Sequence, residues 1–306
     1  MYRVAKVLNH NAIFVFDSKD QSEYLLLGRG IGFGKKVSEY VEARPEDTIY
    51  SLKTISDRGD AKEIAKSVSP ECLDIANDVL NEAEKTFGGI DRRILFPMAD
   101  HIEYAVRRIR NHEQISNPLT DDIRVLFHRE YKVAQSIEPL LKKRMDVQID
   151  EHEIGYIALH VHSAIENEKV SQAMQMAYTV RECIAHVERE TGETIDIMSL
   201  AYNRLMNHVR HMVARALNGE SLKLDMNAYM KSTYPQAFES ARKICDELGR
   251  SLHRRLEDIE IGYLAMHIER VASDELKTPE EATTSKEEDH KETNNNKRKG
   301  KNDEEI

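Results

Sequence analysis

The 306-residue chain has three cysteines, no long apolar run and no excess of basic charge, and each shortage narrows what it can be. Cys72, Cys183 and Cys245 lie far apart within helix-like segments. An odd, dispersed set gives neither a disulfide framework nor a metal-ligand spacing, and it suits buried thiols in a reducing cytosol. No stretch approaches the roughly 18 to 20 apolar residues of a membrane span. The opening Met1-Tyr2-Arg3-Val4-Ala5-Lys6-Val7 alternates basic and apolar side chains and does not read as a signal peptide. The formal charge of −10 excludes a protein that coats nucleic acid by bulk electrostatics, though not one with a local site. Residues 1–56 hold eight Lys/Arg against seven Asp/Glu, so nucleic acid bound there must be recognised by shape and specific contacts as well as charge. A composition 40% apolar and 32% charged suits two or three domains with ordinary cores and extensive wet surface.

What the chain does have is a repeat. His208 follows His101 by 107 residues, and His267 follows His160 by the same 107. His160 ends Glu153-Ile154-Gly155-Tyr156-Ile157-Ala158-Leu159-His160, and His267 ends Glu260-Ile261-Gly262-Tyr263-Leu264-Ala265-Met266-His267. Ala134, Ile137 and Leu141 recur at the same offset as Ala241, Ile244 and Leu248. Two modules of one architecture therefore follow each other, each with two histidines at equivalent points.

Residues 1–55 read as β. Short β-branched or aromatic runs at 3–8, 12–16 and 23–27 are broken by turn-like Asn9-His10-Asn11 and polar 18–22, with a last short strand at 48–52. So small a module is marginal alone, and dimerisation is the expected remedy. From about residue 60 the spacing turns helical: Cys72, Ile75, Ala76, Val79 and Leu80, then Ile94, Met98, Ile102, Ala105, Val106 and Ile109. Gly88-Gly89-Ile90-Asp91 separates these helices, and Gly192-Glu193-Thr194-Ile195-Asp196 does so in the second copy. Ser116-Asn117-Pro118 breaks the helix after His101, and Tyr234-Pro235 opens the counterpart of the Tyr131 helix. After Asp274 the chain is low in complexity and almost without apolar residues, so 275–306 is expected to be a disordered charged tail.

A neutral imidazole is available near neutral pH and is a competent nucleophile toward phosphorus. Reversible phosphorylation therefore suits four histidines in two registered pairs, and it adds close to two negative charges at a point. Metal binding suits them less. Asp100 becomes Asn207 in the second copy, His162 becomes Glu269, and His211 stands where the first copy has Tyr104, so no three-ligand set is kept. Glu153 and Glu260 recur, but no nucleophile or phosphate cradle accompanies them, and helix surface or capping is the simpler reading. Arg108 and Arg215 each lie seven residues after a histidine, on its helical face, placed either to hold a phosphate or to pair with surface acids.

In the N-terminal module, Gly28-Arg29-Gly30-Ile31-Gly32-Phe33-Gly34-Lys35-Lys36 permits close backbone approach. Phe33 offers a stacking face, Arg29, Lys35 and Lys36 offer phosphate or base contacts, and Asn11 stands at a turn where it can read a base edge. A twisted hairpin with Phe33 in the core is the plainer alternative. It is not a dinucleotide-binding loop, because no helix opens there and no βαβ unit follows.

Together these residues resemble the transcriptional antiterminators controlled by the sugar phosphotransferase system, the family of the β-glucoside, sucrose and glucose operon antiterminators. The likeness spans residues 2–274. It rests on Lys6-Val7-Leu8-Asn9-His10-Asn11, the Gly28 to Lys36 segment, Asp100-His101-Ile102, Ile154 through His160, His208, and Ile261-Gly262-Tyr263 with His267. The run Ala158-Leu159-His160-Val161-His162-Ser163-Ala164 is most similar to the glucose-type branch. The resemblance implies a multidomain protein: a small antiparallel all-β RNA-binding domain at 1–56, then two homologous all-α helical-bundle regulation domains at 64–168 and 171–274. It implies a cytoplasmic homodimer, not an enzyme, with no cofactor, metal or membrane insertion. This dimer holds a leader-RNA hairpin of a sugar-uptake operon so that a terminator cannot form. Lys6, Asn11, Gly28, Arg29, Phe33, Lys35 and Lys36 match the family's RNA-facing positions. His101, His160, His208 and His267 match its phosphorylation sites, with the phosphocarrier protein and the sugar permease's phosphotransfer domain as donors. Phosphate on the first regulation domain is implied to silence the protein, while the second domain's role varies. Two positions depart from the family: His10 stands where Asn is usual, and Ala99 where many members have Thr. The competing readings are a helical metal-dependent enzyme with a β appendage, and a DNA-binding activator with the same helical domains. The β pattern at the N-terminus speaks against the second.

Overall fold

The computed structural model describes residues 1–274 except 19–21, 54, 57, 58, 114, 168, 193 and 198. The charged tail at 275–306 lies outside the described residues. Contacts divide the chain into two units, Met1–Tyr178 and Thr179–Ile306.

The first unit begins with a five-stranded antiparallel sheet of order β4-β1-β2-β3-β5. The strands are β1 (Tyr2–Val7), β2 (Ala12–Asp17), β3 (Glu23–Leu27), β4 (Tyr40–Val41) and β5 (Thr48–Ser51). Three of the four expected strands are hairpin neighbours, and β5 pairs with β3 from Leu27↔Thr48 to Tyr24↔Ser51. Central β2 is apolar without strict alternation because both of its faces are covered. On one face Val4, Ile13, Val15, Leu26, Ile31 and Val41 form a small core. On the other, Phe14, Leu25 and Tyr50 are buried, and Tyr50 meets Phe96 of the following helical domain edge-on at 6.0 Å between centroids. Part of the burial that so small a sheet needs is thus supplied within the chain. The structure adds the short strand β4 and a hairpin of two-residue strands, β6 (Ile55–Ser56) with β7 (Gly59–Asp60), to the strands the sequence predicts. Pairs this short carry no readable alternation.

Helices follow: α1 (Ala61–Ser67), α2 (Pro70–Phe87), α3 (Leu95–Arg110), α4 (Thr120–Leu126), α5 (His128–Ala134), α6 (Ile137–Met145) and α7 (Glu151–Glu166). Ser69 caps α2 by accepting from Cys72 N, with Pro70 at the first helical position, and Gly88 ends it at φ 88°. The next helix, α8 (Val170–Thr191), carries the chain into the second unit, which contains α9 (Leu200–Asn218), α10 (Asn227–Thr233), α11 (Pro235–Ser251) and α12 (Ile259–Asp274). In each copy the two histidine-bearing helices are the second long one (α3, α9) and the last (α7, α12). The copies differ where α11 runs unbroken but α5 and α6 are separate. Pro139 explains the break: it has no N–H for the Gln135 carbonyl, which instead accepts from Glu138 N at 3.1 Å. All three cysteines are free and buried, as their apolar helical setting suggests.

Candidate functional site

The N-terminal glycine segment and the first β-turn are built into one another. Gly28 N donates to the Asn11 carbonyl at 2.9 Å, Gly32 N to the His10 carbonyl at 2.9 Å, and Gly30 N to Asn11 Oδ1 at 2.9 Å. A Cβ on Gly32 would fall 2.3 Å from the Asn9 carbonyl oxygen, so only glycine lets the two loops meet. Gly30 and Gly34 have φ of 74° and 67°, which tightens the turns around Phe33. From outside, Arg44 Nη2 donates to the Arg29 carbonyl and to Asp47 Oδ1, both at 2.7 Å. Phe33 is 70% exposed rather than core, and its ring meets His10 edge-on at 5.3 Å. Arg29, Lys35 and Lys36 are exposed beside it, while Lys6 is exposed on β1, just past a bulge in the β1–β2 register. The departure residue His10 therefore packs against the exposed Phe33 ring.

One partner of this loop lies in the helical domain. The side-chain amides of Asn9 and Asn11 both donate to Asp74 Oδ2 of α2, each at 3.2 Å. Burial pushes the Asp74 carboxyl up from its ordinary range, partly offset by those two amides. Three residues along, Asn77 Oδ1 accepts from the Tyr50 hydroxyl at 2.7 Å, and Asn81 Oδ1 accepts from Arg92 at 2.8 Å. The spacing of Asp74, Asn77 and Asn81 puts a polar stripe beside the apolar buried face of α2, which is the sequence signal that marks this seam.

In the first helical domain, His101 on α3 and His160 on α7 sit 5.5 Å apart between ring centroids. They are 7% and 1% exposed. Glu153, in the first turn of α7, is 1% exposed. Its N–H is capped by Asp150 at 2.9 Å, but its side chain turns to α3, where Oε2 lies 3.1 Å from His101 Nε2 and Oε1 accepts from Arg108 Nη2. The expectation of a surface or purely capping glutamate is therefore corrected: Glu153 is the buried link between a histidine and an arginine. Arg108 is correspondingly no surface ion-pair partner. Its guanidinium also lies 4.5 Å over the Tyr104 ring. Burial drives the Glu153 carboxyl up, but hydrogen bonds and charge from His101 and Arg108 outweigh it and hold the group below its usual range. His162 faces elsewhere, 3.1 Å from Glu130 Oε1, as the two-residue offset from His160 requires.

The second copy keeps the residues and changes the wiring. His208 and His267 stack at 4.6 Å between centroids. Glu260 is buried like Glu153, but Arg215 takes both of its oxygens, Nε to Oε1 at 2.7 Å and Nη2 to Oε2 at 2.8 Å. His208 Nε2 is buried without a hydrogen-bond partner. Burial, then the neighbouring His267, lowers the His208 pKa to about 3. Burial and nearby arginines lower that of His267 to about 4. Both rings are neutral at neutral pH. Among the described residues no group of three or more His, Cys, Asp or Glu is placed to hold a metal ion, and no helix is long and apolar enough to cross a membrane.

Comparison with known proteins agrees with this construction. Residues 2–58 match the CAT RNA binding domain, and residues 70–164 and 181–271 each match the PRD domain. The chain is 28% identical over 273 residues to the GlcA/glcB genes antiterminator of Staphylococcus carnosus, covering 87% of this chain and 94% of that protein. It is 29% identical over 273 residues to the protein GlcT of Staphylococcus epidermidis, covering 87% and 95%. The crystal structure of GlcT CAT-PRDI aligns with a TM-score of 0.46 at 30% identity, over 54% of this chain and 98% of that one. A CAT RNA-binding domain followed by two PRD domains places this chain in the family of transcriptional antiterminators governed by the sugar phosphotransferase system, a family of regulators rather than enzymes.

Proposed function

We propose that the chain acts in the cytoplasm as a homodimer that clamps a leader-RNA hairpin of a sugar-uptake operon, glucose-type by its relatives, and so prevents a terminator from forming. The working division is RNA-binding domain 1–56, regulation domains 64–168 and 171–274, and a tail at 275–306. Lys6, Asn11, Gly28, Arg29, Phe33, Lys35 and Lys36 form the RNA-facing surface. His101, His160, His208 and His267 accept phosphate from the phosphocarrier protein and the permease's phosphotransfer domain. The observation that carries the RNA reading is the hydrogen-bonded cluster holding Phe33 outward beside Asn11, Arg29 and the two lysines. An exposed ring flanked by cations is a stacking platform beside phosphate contacts.

The test is a mobility-shift titration of the full chain with the leader hairpin of the neighbouring operon. Tight binding is expected, weakened in Phe33→Ala by about 1–3 kcal/mol, the worth of one base–aromatic stack. Absence of hairpin binding overturns the RNA reading. In parallel, incubation with labelled phosphocarrier protein and permease domain must label at least one of the four histidines, or the switch reading is lost.

A further inference from the structure

We propose that Glu153 selects the nitrogen of His101 that takes the phosphoryl group, directing it to Nδ1, a step that rests on the reading of His101 as a phosphoryl acceptor. Glu153 Oε2 sits 3.1 Å from His101 Nε2, and the other oxygen accepts from Arg108. An ionised carboxylate can only accept, so the shared hydrogen belongs to Nε2. The lone pair of the neutral ring is then on Nδ1. His101 also lines a cleft of about 570 Å³ together with Tyr104, Arg108, Ser116 and Tyr156, open to an incoming group.

The transfer balances without an added base. The Nδ1 lone pair forms the new N–P bond as the donor's bond to phosphorus breaks, and that electron pair leaves on the donor. The Nε2 proton stays, the ring gains imidazolium character, and Glu153 faces the positive charge that develops. This is the orienting role a buried carboxylate plays toward a nucleophile's histidine partner elsewhere. Arg108 contributes a further group: its Nε is buried and has no hydrogen-bond partner, while Nη2 is engaged by Glu153. A phosphoryl oxygen is an acceptor of the right charge for it.

The second copy shows that this wiring is not a by-product of the fold. There Arg215 spends both Nε and Nη2 on Glu260, and the carboxylate reaches no histidine. Nothing at Glu260 dictates which nitrogen of His208 holds its proton. The nitrogen selection belongs to the first regulation domain alone.

The experiment uses the full chain and a phosphohistidine carrier protein of the phosphotransferase system. Phosphohistidine isomers are read with antibodies specific for the Nδ1 or the Nε2 form, and the His101 signal is defined by its loss in His101→Ala. Wild type is expected to carry the Nδ1 form at His101. In Glu153→Gln, Arg108 claims the amide oxygen and turns the NH₂ toward Nε2. The ring proton then moves to Nδ1, and labelling at His101 slows by at least about tenfold. Glu153→Asp keeps a carboxylate and restores the Nδ1 form, and amide-exchange protection across α3 and α7 reports that the first regulation domain of each variant is folded. An Nε2 phosphate at His101 in wild type, or wild-type labelling rates in Glu153→Gln, overturns the proposal while leaving the acceptor reading intact. An unlabelled His101 overturns both.

Discussion

Gly155 and Gly262 are the same residue in the two copies, 107 apart, yet their surroundings differ. A Cβ at Gly155 meets its first neighbour, Asn117 Nδ2, at 3.6 Å, an ordinary contact. A Cβ at Gly262 falls 2.7 Å from Asn227 Oδ1 and 3.0 Å from the backbone of residues 226 and 227. The same Asn227 Oδ1 accepts from Gly262 N at 2.8 Å. Gly155→Ala should therefore stabilise its helix by about 0.5–1 kcal/mol through reduced chain entropy. Gly262→Ala should destabilise by about 1–3 kcal/mol through overpacking. Urea unfolding of the full chain followed by domain-resolved hydrogen exchange distinguishes them, and equal responses would contradict these packings. The recurrence of both glycines is plain in the sequence, but the closeness of Asn227 is not, because it opens α10, a seven-residue helix too short to show a period. Glu153 teaches the same lesson. Its recurrence as Glu260 was visible, but its burial was not, since an acid in the first turn of a helix ordinarily serves the dipole from the surface.

At the scale of elements, the sequence disclosed what periodicity and turn chemistry carry. The paired β1, β2 and β3, the long helices and the joints at Gly88 and Gly192 all lie where alternation, 3.6-residue spacing and glycine put them. It did not disclose that the β1–β2 turn and the Gly28–Gly34 loop are one structure, because two of the bonds that join them are between backbone groups some twenty residues apart, and the third, from Gly30 N to Asn11 Oδ1, uses a side chain that turns commonly carry. That joint element makes a definite prediction. In Gly32→Ala the Asn9 carbonyl and Ile13 Cγ2, which would lie 2.3 Å and 3.0 Å from the new methyl, must give way. The loop then moves off Asn11, and Phe33 loses its support on His10. Hairpin affinity should fall by roughly tenfold or more, about 1.4 kcal/mol for each factor of ten. The far-UV dichroism of the helices should stay as in wild type. Unchanged hairpin affinity would show that the loop junction is not part of the RNA surface.

Across the first unit, the contact with most bearing on function is that between Asp74 and the turn it grips. Asn11 is expected to read RNA through its side chain, yet its amide is donated to Asp74 of the first regulation domain, and Asn9 donates to the same oxygen. While Asp74 holds one hydrogen of that amide, Asn11 has only the second to offer RNA, in an orientation fixed by α2. On the proposed reading RNA binding competes with this contact for the orientation of Asn11, and a change in the first regulation domain that shifts α2 has a direct route to the turn at residues 9–11. The contact is restrained in strength: burial makes the Asp74 charge costly, two amide donors offset part of that cost, and the balance suits a switch more than a permanent tie. Asp74→Ala removes the acceptor while leaving Asn9 and Asn11 in place. Hairpin affinity of the unphosphorylated full chain should rise by roughly tenfold, equivalent to about 1.4 kcal/mol released from the closed state. Amide exchange across residues 8–12 should quicken in the absence of RNA, as the turn loses its anchor. Asp74→Asn, which offers a neutral carbonyl oxygen to the same donors, should fall between the two. If Asp74→Ala binds the hairpin no more tightly than wild type while exchange at the turn does quicken, the contact supports the fold but does not restrain the RNA site.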